Sequence, residues 1–111
     1  FYVNQDKERK EDSAVAYRVD AGLRLEIWKS VFPQEVPLEE DVDFRWLAQR
    51  FDLTGAYIKN IALSAAFAAA EEGRPVNMLH ILKGLKREMV KEGRTLEKSK
   101  LESFGYLFGD L

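Results

Sequence analysis

Between Thr54 and Gly73 the apolar positions fall at Ile58, Ile61, Ala62, Ala65 and Ala69, with Leu63 and Phe67 on another side. That spacing predicts a helix that is apolar almost all the way round, and such a helix belongs in the middle of a bundle. Thr54 is placed to cap its start, and Gly73, with Pro75 behind it, supplies a left-handed stop. It is expected to be the most buried segment, touching the first, second and fourth helices. Upstream, Leu23, Ile27 and Val31 share one stripe with Trp28 and Phe32 beside it. They predict a first helix that begins after Asp20 and is ended by Pro33. The stretch from Pro33 to Pro37 reads as extended.

A short second helix from about Asp41 to Phe51 turns Val42, Trp46, Leu47 and Phe51 inward. Asn77 is a good cap for a fourth helix, which carries Met78, Leu82, Leu85 and Met89 with Ile81 alongside and stops near Gly93. Thr95 is in position to cap a fifth, more polar helix ahead of the aromatic tail Phe104 to Phe108. No segment alternates polar and apolar residues long enough for a strand. The expected class is all-α: a small four-helix bundle over residues 18–93. A polar arm precedes it (1–17, charged or amide almost throughout from Gln5 to Asp12), and a helical and aromatic extension follows (94–111).

Composition narrows the chemistry. At 111 residues the chain is one domain that is 46% hydrophobic and 32% charged, which excludes wholesale disorder. Cysteine is absent, so thiolate metal sites, disulfides and cysteine nucleophiles are excluded. No apolar run approaches a membrane span, and the N-terminus Phe1-Tyr2-Val3-Asn4-Gln5 is not a signal peptide. A cytoplasmic setting is the expectation, and the missing initiator methionine points to a chain cut from something longer. Charge is unevenly spread: Glu35, Glu39, Glu40, Asp41 and Asp43 crowd one segment. Lys83, Lys86, Arg87, Lys91, Arg94, Lys98 and Lys100 dominate another. Both read as solvated faces, the basic one also as a patch for an acidic neighbour or a phosphate-bearing ligand.

Enzymatic signatures are missing. The single histidine, His80, lies one turn into the fourth helix beside core positions and reads as structural. The acidic pairs Glu39-Glu40 and Asp41/Asp43 sit at a helix start, where they favour the dipole. The seven glycines never take phosphate-loop spacing. The stretch from Trp46 to Ile58 looks like a helix-turn-helix. Its second helix would offer a groove only Tyr57, Lys59 and Asn60, behind an acidic cluster that phosphate repels, which speaks against nucleic acid.

One ordered series remains: Arg24-Leu25-Glu26-Ile27-Trp28, then Glu40-Asp41-Val42-Asp43-Phe44, then Leu47-Ala48. Thr54-Gly55-Ala56 with Ile58 and Asn60 comes next, and Ala65-Ala66 closes it. The series resembles the C-terminal helical lid of AAA+ ATPases, most closely the AAA branch proper, over roughly Arg18 to Gly93. The resemblance implies a lid that folds over ATP or ADP held by an AAA+ core in the same parent chain. It also implies packing against neighbouring subunits of a homo-oligomeric ring, a hexamer in that family. Ile27 and Gly55-Ala56 would line adenine and ribose. Val31 stands where relatives often carry a polar residue such as histidine, and Tyr57 replaces the family's aspartate. The position of a phosphate-sensing arginine is Ala56, so Lys59, one turn on, is the nearby cation. Walker A and Walker B motifs are absent from this sequence, so no catalysis is expected of the chain alone. The competing expectations are a helical protein-interaction module without nucleotide and, behind it, a DNA-binding bundle.

Overall fold

The computed structural model describes residues 20–111, so the polar arm at 1–17 lies outside the described residues. Four α-helices follow in chain order: α1 (Ala21–Val31), α2 (Phe44–Arg50), α3 (Gly55–Glu72) and α4 (Met78–Lys91). A 3₁₀ segment, Lys98–Asp110, ends the chain. The protein is an all-α bundle, and no strand occurs among the described residues, only an isolated bridge between Leu38 and Val76. No described helix is long and apolar enough to cross a membrane.

Each α-helix starts where a side chain satisfies an orphan amide. Asp20 accepts from Leu23 N–H at 2.8 Å, Asp43 from Trp46 at 2.9 Å, and Thr54 from Tyr57 at 3.2 Å. Asn77 accepts from His80 N–H, and the His80 ring returns the favour by accepting from Asn77 N–H at 3.0 Å. This is a capping box with histidine in the position glutamate usually fills. Gly73 closes α3 at φ +66°, the left-handed conformation that a residue without Cβ takes at least cost.

Packing departs from the expected arrangement. α3 lies against α4 and α1, whereas α2 packs on α1 and has little contact with α3. α4, not α3, is the most deeply buried helix: eight of its 14 residues are buried, against five of 18 in α3. Ile58, Ile61, Ala62, Ala65 and Ala69 do face the core, but Leu63 and Phe67 stand 59% and 67% exposed. On α1 the buried stripe is Arg24 and Trp28, continued by Phe32, while Leu23 is half exposed and Ile27 and Val31 lie at the boundary. Rotating α1 this way stacks Trp28 and Phe32 on Phe44 of α2, at 6.0 and 6.1 Å between ring centres.

α2 begins at Phe44 rather than Asp41, because the acidic cluster is divided among three tasks. Asp43 caps α2, and Asp41 leaves to accept from Met78 N–H at 3.2 Å, supporting the start of α4. Glu39 faces Arg74 at 4.0 Å. Residues 33–37 are not extended: Val36 N–H bonds to Pro33 O in a turn. The chain then pairs with the α3–α4 link, Val76 N–H to Pro37 O and Glu39 N–H to Val76 O.

The tail also differs from expectation. Thr95 caps nothing; Glu97 precedes the 3₁₀ segment without a side-chain cap, and the segment kinks at Glu102 (φ 50°, ψ −120°). That strained backbone is held by side chains: Trp46 Nε1 donates to Glu102 Oε1 at 2.7 Å, and Arg50 Nε to Lys100 O at 2.7 Å. Phe104 rests on Trp46, 4.7 Å between ring centres, and Leu96 and Leu101 complete the single core.

Two predictions come from this packing. A Cβ on Gly84 would meet Ile61 O at 3.1 Å and Ile61 Cγ2 at 3.2 Å, where backbone sets the α3–α4 distance. Gly84→Val should therefore lower unfolding free energy by about 1–3 kcal/mol in urea denaturation, as overpacking does. The second concerns His80, whose Nδ1 accepts from Asn77, so that Nε2 carries the proton and donates to Glu72 Oε1 at 2.9 Å. This bond first, then nearby positive charge, holds the Glu72 carboxyl below its ordinary value. A depressed folded-state value contributes stability above the unfolded value that is lost as pH falls through the folded one. Thermal melts of wild type and Glu72→Gln should differ at neutral pH and converge on acidification below the ordinary glutamate range.

Candidate functional site

The junction of α1 with the start of α3 is built from Arg24. Its guanidinium is buried, with Nε donating to Ala48 O at 2.8 Å and Nη1 to Asp52 Oδ1 at 3.0 Å. Ala48 lies near the end of α2 and Asp52 in the turn that leads into α3, so one side chain on α1 fixes where that turn emerges. Two residues later Thr54 caps α3, and Gly55 is its first residue. Gly55 thereby comes up against Ile27, one turn after Arg24: a Cβ on Gly55 would lie 3.6 Å from Ile27 Cδ1.

Of the residues expected at a binding site, the structure brings Ile27 and Gly55 together. Val31 continues the Ile27 side of α1 one turn on, half-buried against the core. Ala56 is exposed at the mouth of α3. Lys59 stands a turn beyond Gly55, exposed and with no ion pair among the described residues. The site is therefore an aliphatic wall beside bare backbone with one cation further along.

Tyr57, which stands where the resembled family has aspartate, belongs to another neighbourhood. It packs on the core, where burial foremost and the Glu92 carboxylate next push its hydroxyl above the ordinary phenol value. Asn60 likewise turns to α4 and donates to Glu88 Oε1 at 3.4 Å. The groove-facing trio of a helix-turn-helix is thus reduced to Lys59. His80 is occupied at the start of α4, as its position beside the core suggested. No group of three or more metal-ligating side chains occurs among the described residues.

Sequence reading missed the positioning role of Arg24, although the signal was there. A cation four residues before Trp28, on what becomes the buried stripe, must find buried acceptors. It also missed Asp41, whose capping partner lies 37 residues away and has no local signature. No protein-family model matches the chain, and no curated protein matches it significantly.

Proposed function

We infer that this chain is the helical lid of an AAA+ ATPase, closing over adenine nucleotide held by the core of its parent chain and passing the nucleotide state to its neighbours in a ring. The observation that carries this reading is the meeting of Ile27 with Gly55 across the α1–α3 junction. The ordered motif series assigns adenine contact to those two positions, which are 28 residues apart in sequence. Arg24 supports it, because the arginine that opens the motif's first piece holds the junction in register.

Mechanistically, Ile27 offers aliphatic carbon to one face or edge of the base. Gly55 lets the backbone approach without a side chain in the way, and Ala56 keeps the mouth of α3 small. Val31 extends the apolar wall toward the ribose, where its lack of a polar atom removes a hydrogen bond available to relatives with histidine. Lys59 is the cation nearest to where phosphates would run. Closure is a rigid-body motion, since α1, α3 and α4 share one core. The cytoplasm is the setting that fits an ATPase of this kind.

The isolated chain should show no ATP hydrolysis, because it lacks the groups that hold Mg²⁺ and the β- and γ-phosphates together. Its nucleotide affinity should be about millimolar or weaker, one wall of a pocket being too little to offset lost freedom of motion. Turnover by the purified chain in a phosphate-release assay overturns the reading.

In the intact ATPase, Gly55→Leu should weaken ATP binding by roughly tenfold or more while the isolated lid keeps its thermal midpoint within a few degrees. Plain helix packing at this junction gives the opposite order, with the midpoint falling first and affinity only in consequence. An unchanged affinity in a well-folded Gly55→Leu parent removes these residues from the site.

A further inference from the structure

α3 carries a contradiction between sequence and surroundings. It is apolar nearly all round, yet the bundle covers only one side and leaves Leu63 and Phe67, one turn apart, 59% and 67% exposed. Large apolar side chains clustered on a polar surface mark a contact. The feature beside them defines its kind. On α4, Lys83, Arg87 and Lys91 stand at four-residue intervals along the opposite rim of a 470 Å³ groove, which Leu63, Phe67 and Ala68 line from α3.

Lys91 is paired with Glu88 at 2.8 Å. Lys83 and Arg87 have no carboxylate within ion-pair distance among the described residues, and both are exposed. Leu63 and Phe67 therefore give the α3 wall two apolar anchors among the polar Asn60, Ser64 and Glu71, and the α4 wall carries two cations without an ion pair. Both pairs are spaced by four residues, about 6 Å along a helix.

The geometry points to a docking groove for an amphipathic helix of a partner protein with an acidic flank. A helix presents side chains at that same interval, so apolar residues seat between Leu63 and Phe67 while carboxylates a quarter-turn round meet Lys83 and Arg87. An extended peptide has no edge to pair with, because both walls are helices whose backbone groups bond internally. Nucleic acid fits less well, because a phosphate backbone offers no apolar surface to cover Leu63 and Phe67. The 83–91 run spans about 12 Å, which sets the docked length at two to three turns. This groove lies on the α3–α4 side, away from the α1–α3 junction, and its assignment does not rest on the nucleotide reading.

The test uses the full 111-residue chain and a fluorescein-labelled amphipathic peptide of about four turns, leucines at every third or fourth position and glutamates on one flank. Fluorescence anisotropy should show saturable binding that weakens as salt rises. Phe67→Ser should lower affinity about tenfold or more, and its exposed position leaves the fold intact, as circular dichroism melts would verify. Lys83→Glu with Arg87→Glu should abolish binding of the acidic peptide and create binding of a lysine-flanked counterpart that the wild-type chain ignores. Binding indifferent to both sets of substitutions overturns the proposal. So does preferential capture of a labelled single-stranded oligonucleotide by the same residues. Concentration-dependent self-association in sedimentation that Phe67→Ser removes gives the groove to a second copy instead, and also overturns it.

Discussion

Taking a guanidinium out of water costs several kcal/mol unless its donors find acceptors in good geometry, and Arg24 is buried at the centre of the α1–α2 interface. Its bonds to Ala48 O and Asp52 answer that requirement and in doing so orient three elements at once. α1 cannot rotate to bury Leu23 without stranding the charge. α2 must end where Ala48 O is free to accept, and the turn at Asp52 must leave toward α1. The rest of the fold inherits this choice. Trp28 and Phe32 then face Phe44, and α3 starts against Ile27.

The second half of the molecule is organised by a different constraint, the close approach of α3 to α4. Gly84 faces the backbone of Ile61, and the alanines at 62, 65 and 69 keep the helix surface low. Small residues let two helices share a large area, and α4 answers with Ile81, Leu82 and Leu85, all buried. Its first turn is fastened from three directions, by Asn77, His80 and the distant Asp41. The Leu38–Val76 bridge holds the loop that carries Asp41 in place. The C-terminal segment closes the bundle at the α2 end, where a strained turn at Glu102 persists because Trp46 and Arg50 both engage its carboxylate.

These two interfaces leave two chemically different surfaces. The α1–α3 junction offers aliphatic carbon from Ile27 and the bare backbone of Gly55. The outer side of α3 and α4 offers leucine, phenylalanine and unpaired cations, a surface suited to a helix. Both use α3, whose buried side meets α1 and α4 while Leu63 and Phe67 stay exposed.

The sequence by itself determined the start of α1, both ends of α3 and the start of α4, because those events are local, but not the start of α2 or of the C-terminal segment. Asp20, Thr54, Gly73 and Asn77 act on amides or dihedrals within three residues, and all four stand where the pattern put them. It also determined that Ala65 and Ala69 are buried, since their spacing marks one side of a helix. The tertiary structure alone decided which stripe of α1 faces inward, because Leu23 and Arg24 head adjacent stripes and only the position of Ala48 O and Asp52 discriminates between them. It decided that Ile27 meets Gly55, that Asp41 serves α4 and not α2, and that the tail kinks at Glu102. In each case the deciding partner lies more than twenty residues away in sequence, where periodicity and capping signals carry no information. Helical period says that a face exists; which neighbour covers it is settled by the buried polar groups that must be satisfied when the helices meet.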